Sequence, residues 1–103
     1  MVLKITDNEF DKVKKEGVSV LDFSATWCGP CQMLAPVFEQ VSEEFAGSAS
    51  FYKVDVDESR ALSKEFSVQS VPTLVVMKNG EQMETQVGFQ PKKNLIKLVK
   101  KYL

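Results

Sequence analysis

The sequence predicts an α/β domain, a mixed sheet of about five strands with helices on both faces. Three observations carry this expectation. Short β-rich runs alternate with helical patterns along most of the chain, the arrangement that lays crossover helices over parallel strands. Asn79-Gly80 separates two strand-like runs and marks a two-residue hairpin, so the last two strands turn back antiparallel. The 103 residues are 44% hydrophobic and 26% charged, apolar enough for one core and too apolar for disorder. One domain over residues 1–103 is therefore expected.

The elements follow in order β-α-β-α-β-α-β-β-α. Val2 to Ile5 is a short strand. Thr6 and Glu9 have capping-box spacing, and Phe10 and Val13 form the stripe of a first helix ended by Gly17. Val18 to Phe23 is an apolar second strand. Leu34, Val37, Phe38, Val41 and Phe45 recur at helical spacing and define a long helix ending near Gly47. Pro36 lies inside it and should kink it by deleting a backbone hydrogen bond. Phe51 to Val56 is a third strand, and Ser59 to Phe66 a short helix. Thr73 to Met77 reads as a buried strand and Glu81 to Val87 as its polar edge partner. Pro91 suits the first turn of a last helix, with Leu95, Leu98, Val99 and Tyr102 on one face.

Several function classes lose support from composition. A formal net charge of −1 and the absence of histidine offer no electrostatic case for nucleic acid or an anionic membrane. Lys92, Lys93, Lys97, Lys100 and Lys101 surround the stripe of the last helix and read as its solvated face. No stretch approaches the roughly 20 apolar residues of a membrane span. Met1 to Asp7 has no apolar run of signal-peptide length, so the expected location is cytoplasmic.

The only cysteines, Cys28 and Cys31, fall in Trp27-Cys28-Gly29-Pro30-Cys31, where the second strand gives way to the long helix. In a reducing compartment such a pair reads as redox-active or metal-binding before it reads as structural. Two side chains three apart on a helix share a face, so the pair can close a disulfide with little backbone movement. The free N–H groups and positive end of the helix favour a thiolate there. Cys28, at the tip, is expected to be exposed and nucleophilic. Cys31, inside the first turn, is expected to face the sheet and act as the resolving thiol. Pro30 fixes its own φ and lacks an N–H that the first turn would leave unpaired, while Gly29 keeps the approach to Cys28 clear. A purely stabilising disulfide is the weaker alternative, because so short a loop restricts the unfolded chain least. Zinc is weaker still, since a closed site needs about four ligands and no further cysteine or histidine exists. No metal or organic cofactor is called for.

Taken with Asp22, Pro36, Lys53, Val71-Pro72-Thr73, Gly80 and Gly88, the cysteine motif resembles the active site of the thioredoxin family, and the resemblance spans the whole chain. It implies the thioredoxin fold, with strand order 1-3-2-4-5 and four flanking helices. It also implies a protein-disulfide reductase, acting on protein disulfide substrates as a monomer and recycled by a thioredoxin reductase. A module whose surface matters more than its cysteines is the alternative from another class. An oxidase or isomerase of secreted proteins is a rival within the same chemistry.

Asp22 lies within an apolar strand on the face of Val18 and Val20, where desolvation should raise its pKa. The resemblance sets it beneath the cysteines, as a proton-transfer group for Cys31. A strand-end aspartate paired with lysine remains the plainer reading. Lys53 either tunes Asp22 or is a solvated lysine. The resemblance makes the Val71-Pro72 bond cis and turns the Val71 backbone toward an extended substrate. Trp27 and Gly88 border the docking surface, or are a partly buried aromatic and a bulge glycine. Two positions depart from common forms of the pattern: Ser24 where many bacterial members carry tryptophan, and Gln32 where lysine or arginine is frequent.

Overall fold

The computed structural model describes all 103 residues. Strands β1 (Val2–Ile5), β2 (Val18–Ser24), β3 (Ala49–Asp55), β4 (Thr73–Lys78) and β5 (Glu81–Val87) form one sheet, ordered β1-β3-β2-β4-β5. β1 and β2 both run parallel to β3. β4 runs antiparallel to β2 and to β5. Helices α1 (Gly29–Glu44), α2 (Arg60–Glu65) and α3 (Lys92–Tyr102), with a 3-10 helix over Asp7–Lys12, complete the four flanking helices. No helix is long and apolar enough to cross a membrane.

Alternation along the strands divides the core between the two faces. Val18, Val20, Phe51, Leu74 and Val76 pack with Leu34, Phe38, Val41, Leu95 and Val99 of α1 and α3. Phe38 meets Phe51 edge-on at 5.3 Å between ring centroids. On the other face Leu21, Phe23, Tyr52, Val54 and Val75 pack with Val13, Leu62 and Phe66. β2 lies at the centre, with partners on both edges, and all seven of its residues are buried. The β4–β5 turn has the geometry its residues imply: Asn79 and Gly80 have φ of 51° and 84°, the positive pair that a type I′ turn demands.

Three local expectations are corrected. The first helix is a 3-10 segment that stops at Lys12, well before Gly17, although the Thr6–Glu9 capping box forms. Phe10 and Val13 are too few apolar residues to draw a longer helix onto the sheet. Pro91 is the N-cap of α3, one residue outside its first turn, with an extended ψ of 156°. The third strand starts earlier and ends sooner than expected, because it pairs with β2 from Val18↔Ala49 to Ser24↔Asp55.

α2 is capped from a distance. Ser59 occupies its N-cap position, yet its hydroxyl makes no cap bond and is buried without a partner. The N–H groups of Leu62 and Ala61 donate instead to the Asp7 carboxylate, at 2.8 and 3.4 Å. One side chain thus joins the 3-10 helix to α2. Glu84 makes a similar tie on the other face, accepting from Tyr102 Oη at 2.6 Å and Lys101 Nζ at 2.8 Å. Replacing Asp7 by Ala is expected to cost about 1 kcal/mol. The melting temperature should fall by about 4–8 °C, while Asp7→Asn keeps an acceptor and most of the stability. Thermal unfolding by circular dichroism compares the three proteins.

Candidate active site

The site lies beyond the C-terminal end of β2, where the chain leaves the sheet through Ala25, Thr26 and Trp27 and enters α1. Ala25, Cys28 and Cys31 form a small apolar cluster flanked by Val56 and Val71. Cys28 is the N-cap of α1, and its sulfur accepts the Cys31 N–H at 3.3 Å. Helix N-termini leave such donors free, and here a thiol takes the place usually filled by a hydroxyl or carboxylate. Both cysteines are free thiols.

Exposure does not distinguish the two sulfurs, contrary to expectation. Cys28 is 6% exposed and Cys31 3%. Cys28 folds back over the helix end and its Sγ lies 3.7 Å from the Val71 carbonyl oxygen, to which the thiol donates. The difference between them lies in hydrogen bonding and in the surroundings of Cys31. Burial, and after it the hydrogen bond with Cys28, push the Cys31 thiol up, and the neighbouring Asp22 charge acts in the same direction. Cys31 therefore holds its proton at neutral pH.

Asp22 is 1% exposed, and its Oδ1 has no hydrogen-bond partner. Desolvation raises its pKa to about 7, opposed by the charge of Lys53. That lysine is its register partner on β3, so the two side chains leave the same face of neighbouring strands. Lys53 lines a cleft of about 330 Å³ together with Cys31, Ser24, Gln32 and Asp55. A solvated strand-end pair does not describe Asp22, which lies in the buried body of the central strand.

Around the sulfurs the rim is open. Trp27 is 70% exposed, and its indole N–H donates to Asp57 Oδ2 at 2.8 Å. The Val71–Pro72 bond is cis. The Val71 N–H has no backbone acceptor, whereas the Pro72 carbonyl accepts the Gly88 N–H at 2.8 Å. Gly88 has φ of 96° and follows the end of β5. It is not a bulge glycine, since the register shift of β4–β5 falls at Val76/Met77. A Cβ at Gly29 or Gly88 would meet nothing within 4 Å, so the space beside both is open. Trp27, Val56, Val68 and Val71 line an apolar cleft of about 400 Å³ beside the thiols. Sequence reading does not single out Asp57 or Val56. Neither carries a periodic or spacing signal, and both reach the site only through the turn after β3.

The fold and the vicinal thiols define a class, the thiol-disulfide oxidoreductases built on a five-stranded mixed sheet. Comparison with known proteins narrows it. The family model described as thioredoxin matches residues 1–101. Thioredoxin of Staphylococcus saprophyticus is 47% identical over 102 residues, covering 99% of this chain and 98% of that protein. Thioredoxin of Staphylococcus aureus is 45% identical with the same coverage. A solved mutant thioredoxin from Halobacterium salinarum superposes with a TM-score of 0.90 at 43% identity, covering 98% of this chain and 89% of that one. The chain belongs to the thioredoxin family.

The Asp22 shift sets a pH dependence. The carboxyl keeps its proton up to about pH 7 when folded but only to 3.8 as an ordinary carboxyl. Between those values the folded chain binds more protons than the unfolded one, so stability falls as pH rises through the window and stays low above it. Asp22→Asn removes the effect. Its stability gain should be near zero at pH 4, grow through neutrality and level off by pH 8. The limit is about 4 kcal/mol, less the cost of burying the amide. Urea unfolding at the three pH values measures it. An equal gain at all three would show that Asp22 ionises as freely folded as unfolded.

Proposed function

We propose that this chain is a protein-disulfide reductase that works as a single domain over residues 1–103. The observation that carries the reading is the N-cap geometry of Cys28. Its sulfur takes a backbone N–H at the helix end, beside a backbone strand with an unpaired N–H and a rim open to solvent. An N–H donated to sulfur stabilises negative charge there, and the helix end adds to it.

The reaction follows from the two sulfurs. Cys28 thiolate attacks one sulfur of a substrate disulfide. The new bond forms as the substrate bond breaks, and one substrate thiolate leaves. Cys31 then gives its proton to Asp22 and attacks Cys28 Sγ, releasing the second substrate thiolate and closing the Cys28–Cys31 disulfide. Asp22 suits this step because a carboxyl titrating near 7 takes and returns a proton at neutral pH. Lys53 limits how far burial raises that carboxyl. Gly29 and Pro30 shape the turn that presents Cys28.

Substrate docking falls to Trp27, Val71, Pro72 and Gly88. An extended protein segment can pair with the Val71 backbone while its apolar side chains reach the cleft beside Trp27. Two electrons leave in each cycle, so a two-electron donor must reopen the disulfide. The family implies a thioredoxin reductase for that role. A reducing cytoplasm is the compartment in which such a dithiol is maintained.

Reduction of insulin disulfides by a small thiol, with the protein as catalyst, tests the reading. Cys28→Ser should abolish catalysis. Cys31→Ser should arrest at a mixed disulfide through Cys28, seen as a mass increase that added thiol reverses. Asp22→Asn should slow resolution of that species by about 10²-fold, the low end for a positioned acid or base. Wild-type turnover by Cys28→Ser would defeat the assignment of the nucleophile.

A further inference from the structure

We infer that Gln32 is a positioning residue that braces the nucleophile loop through its side-chain N–H. The inference rests on the reductase reading for its kinetic part only. Gln32 Nε2 donates to the Thr26 carbonyl at 2.8 Å. The opposite amide orientation would set two oxygens face to face, so the donor is the nitrogen. Thr26 and Gln32 are both exposed, and no backbone N–H reaches the Thr26 carbonyl.

The brace acts where the backbone is short of bonds. Each residue of the loop Ala25–Trp27 has a tether. The Ala25 carbonyl accepts the Cys28 N–H at 3.3 Å, the Trp27 indole holds Asp57, and Thr26 has Gln32. Pro30 and Pro36 each lack an N–H, and Pro36 cannot donate to the Gln32 carbonyl four residues earlier. The first turn of α1, which carries Cys31, is thereby deprived of a ladder bond. Gln32 compensates from its own side chain while its backbone N–H donates to the Cys28 carbonyl at 3.1 Å. One residue therefore fastens the turn holding Cys31 to both Thr26 and Cys28, fixing the path of the chain on either side of Trp27. No ion pair involves Gln32, so what this position contributes is a donor and not a charge.

Four variants separate the two ideas. Gln32→Lys keeps a donor and adds a charge. Gln32→Glu is nearly isosteric, loses the donor and faces the Thr26 oxygen with another. Gln32→Leu loses the donor without charge. Gln40→Ala, on an exposed part of the same helix, controls for helix effects. Two readouts are taken. The first is kcat/KM for insulin reduction. The second is acrylamide quenching of Trp27, the only tryptophan.

With the brace, Glu and Leu should each lose about three-fold in kcat/KM, the scale of one neutral hydrogen bond, and should quench more readily. Lys and the control should match wild type in both. An activity order of Lys above wild type above Glu, with Leu at the wild-type value, would overturn the inference in favour of charge. So would wild-type quenching in all four variants. If wild type itself failed to reduce insulin, the reductase reading would fall while the quenching series still decided the brace.

Discussion

The desolvation of one carboxyl governs this molecule. β2 has strands on both edges and helices over both faces, so the side chain at position 22 is almost wholly removed from water. An aspartate there must be neutral, paired or costly. Nothing donates to its Oδ1, and Lys53 offsets only part of the burial. The result is a group that changes protonation near neutral pH, set under a thiol that burial also keeps protonated. Burial raises both groups together, the carboxyl to about 7 and the thiol to about 12, so each holds its proton more tightly than it would in water.

Cys28 belongs to the helix end rather than to the sheet. Its sulfur occupies the cap of α1 and takes a backbone N–H. The two cysteines are nearly equal in burial and differ in the bonds they make. The site sits at the carboxyl end of β2, which pairs parallel with β3 and antiparallel with β4. Beyond the carboxyl ends of strands, α/β sheets gather helix ends and loops. The loops before α1, before β4 and after β5 meet there.

Three further tethers join separate elements. Asp7 reaches across to cap α2, Glu84 ties α3 to β5, and Asp57 holds the indole of Trp27. Each uses a carboxylate on one element to satisfy donors on another. Contacts between elements thereby fix the framework, while the Val71 N–H has no backbone acceptor.

Much was legible in the chain itself. The five strands, the long helix from Leu34 to Phe45, the Asn79-Gly80 turn and the placing of two thiols at a strand-to-helix junction follow from periodicity, turn chemistry and spacing, which are local properties. So does the burial of Asp22, because an aspartate inside an apolar run has few other places to go. Tertiary structure alone decided the rest. The 3-10 character of the first helix depended on what the sheet would accept beside it. The capping of α2 by Asp7 and not Ser59 depended on a residue more than fifty positions away. The burial of Cys28 depended on Val71 and Ala25 closing over it. Sequence determines which groups seek a partner. Only the folded chain determines which partner arrives first, since that depends on distances between elements that no local pattern records.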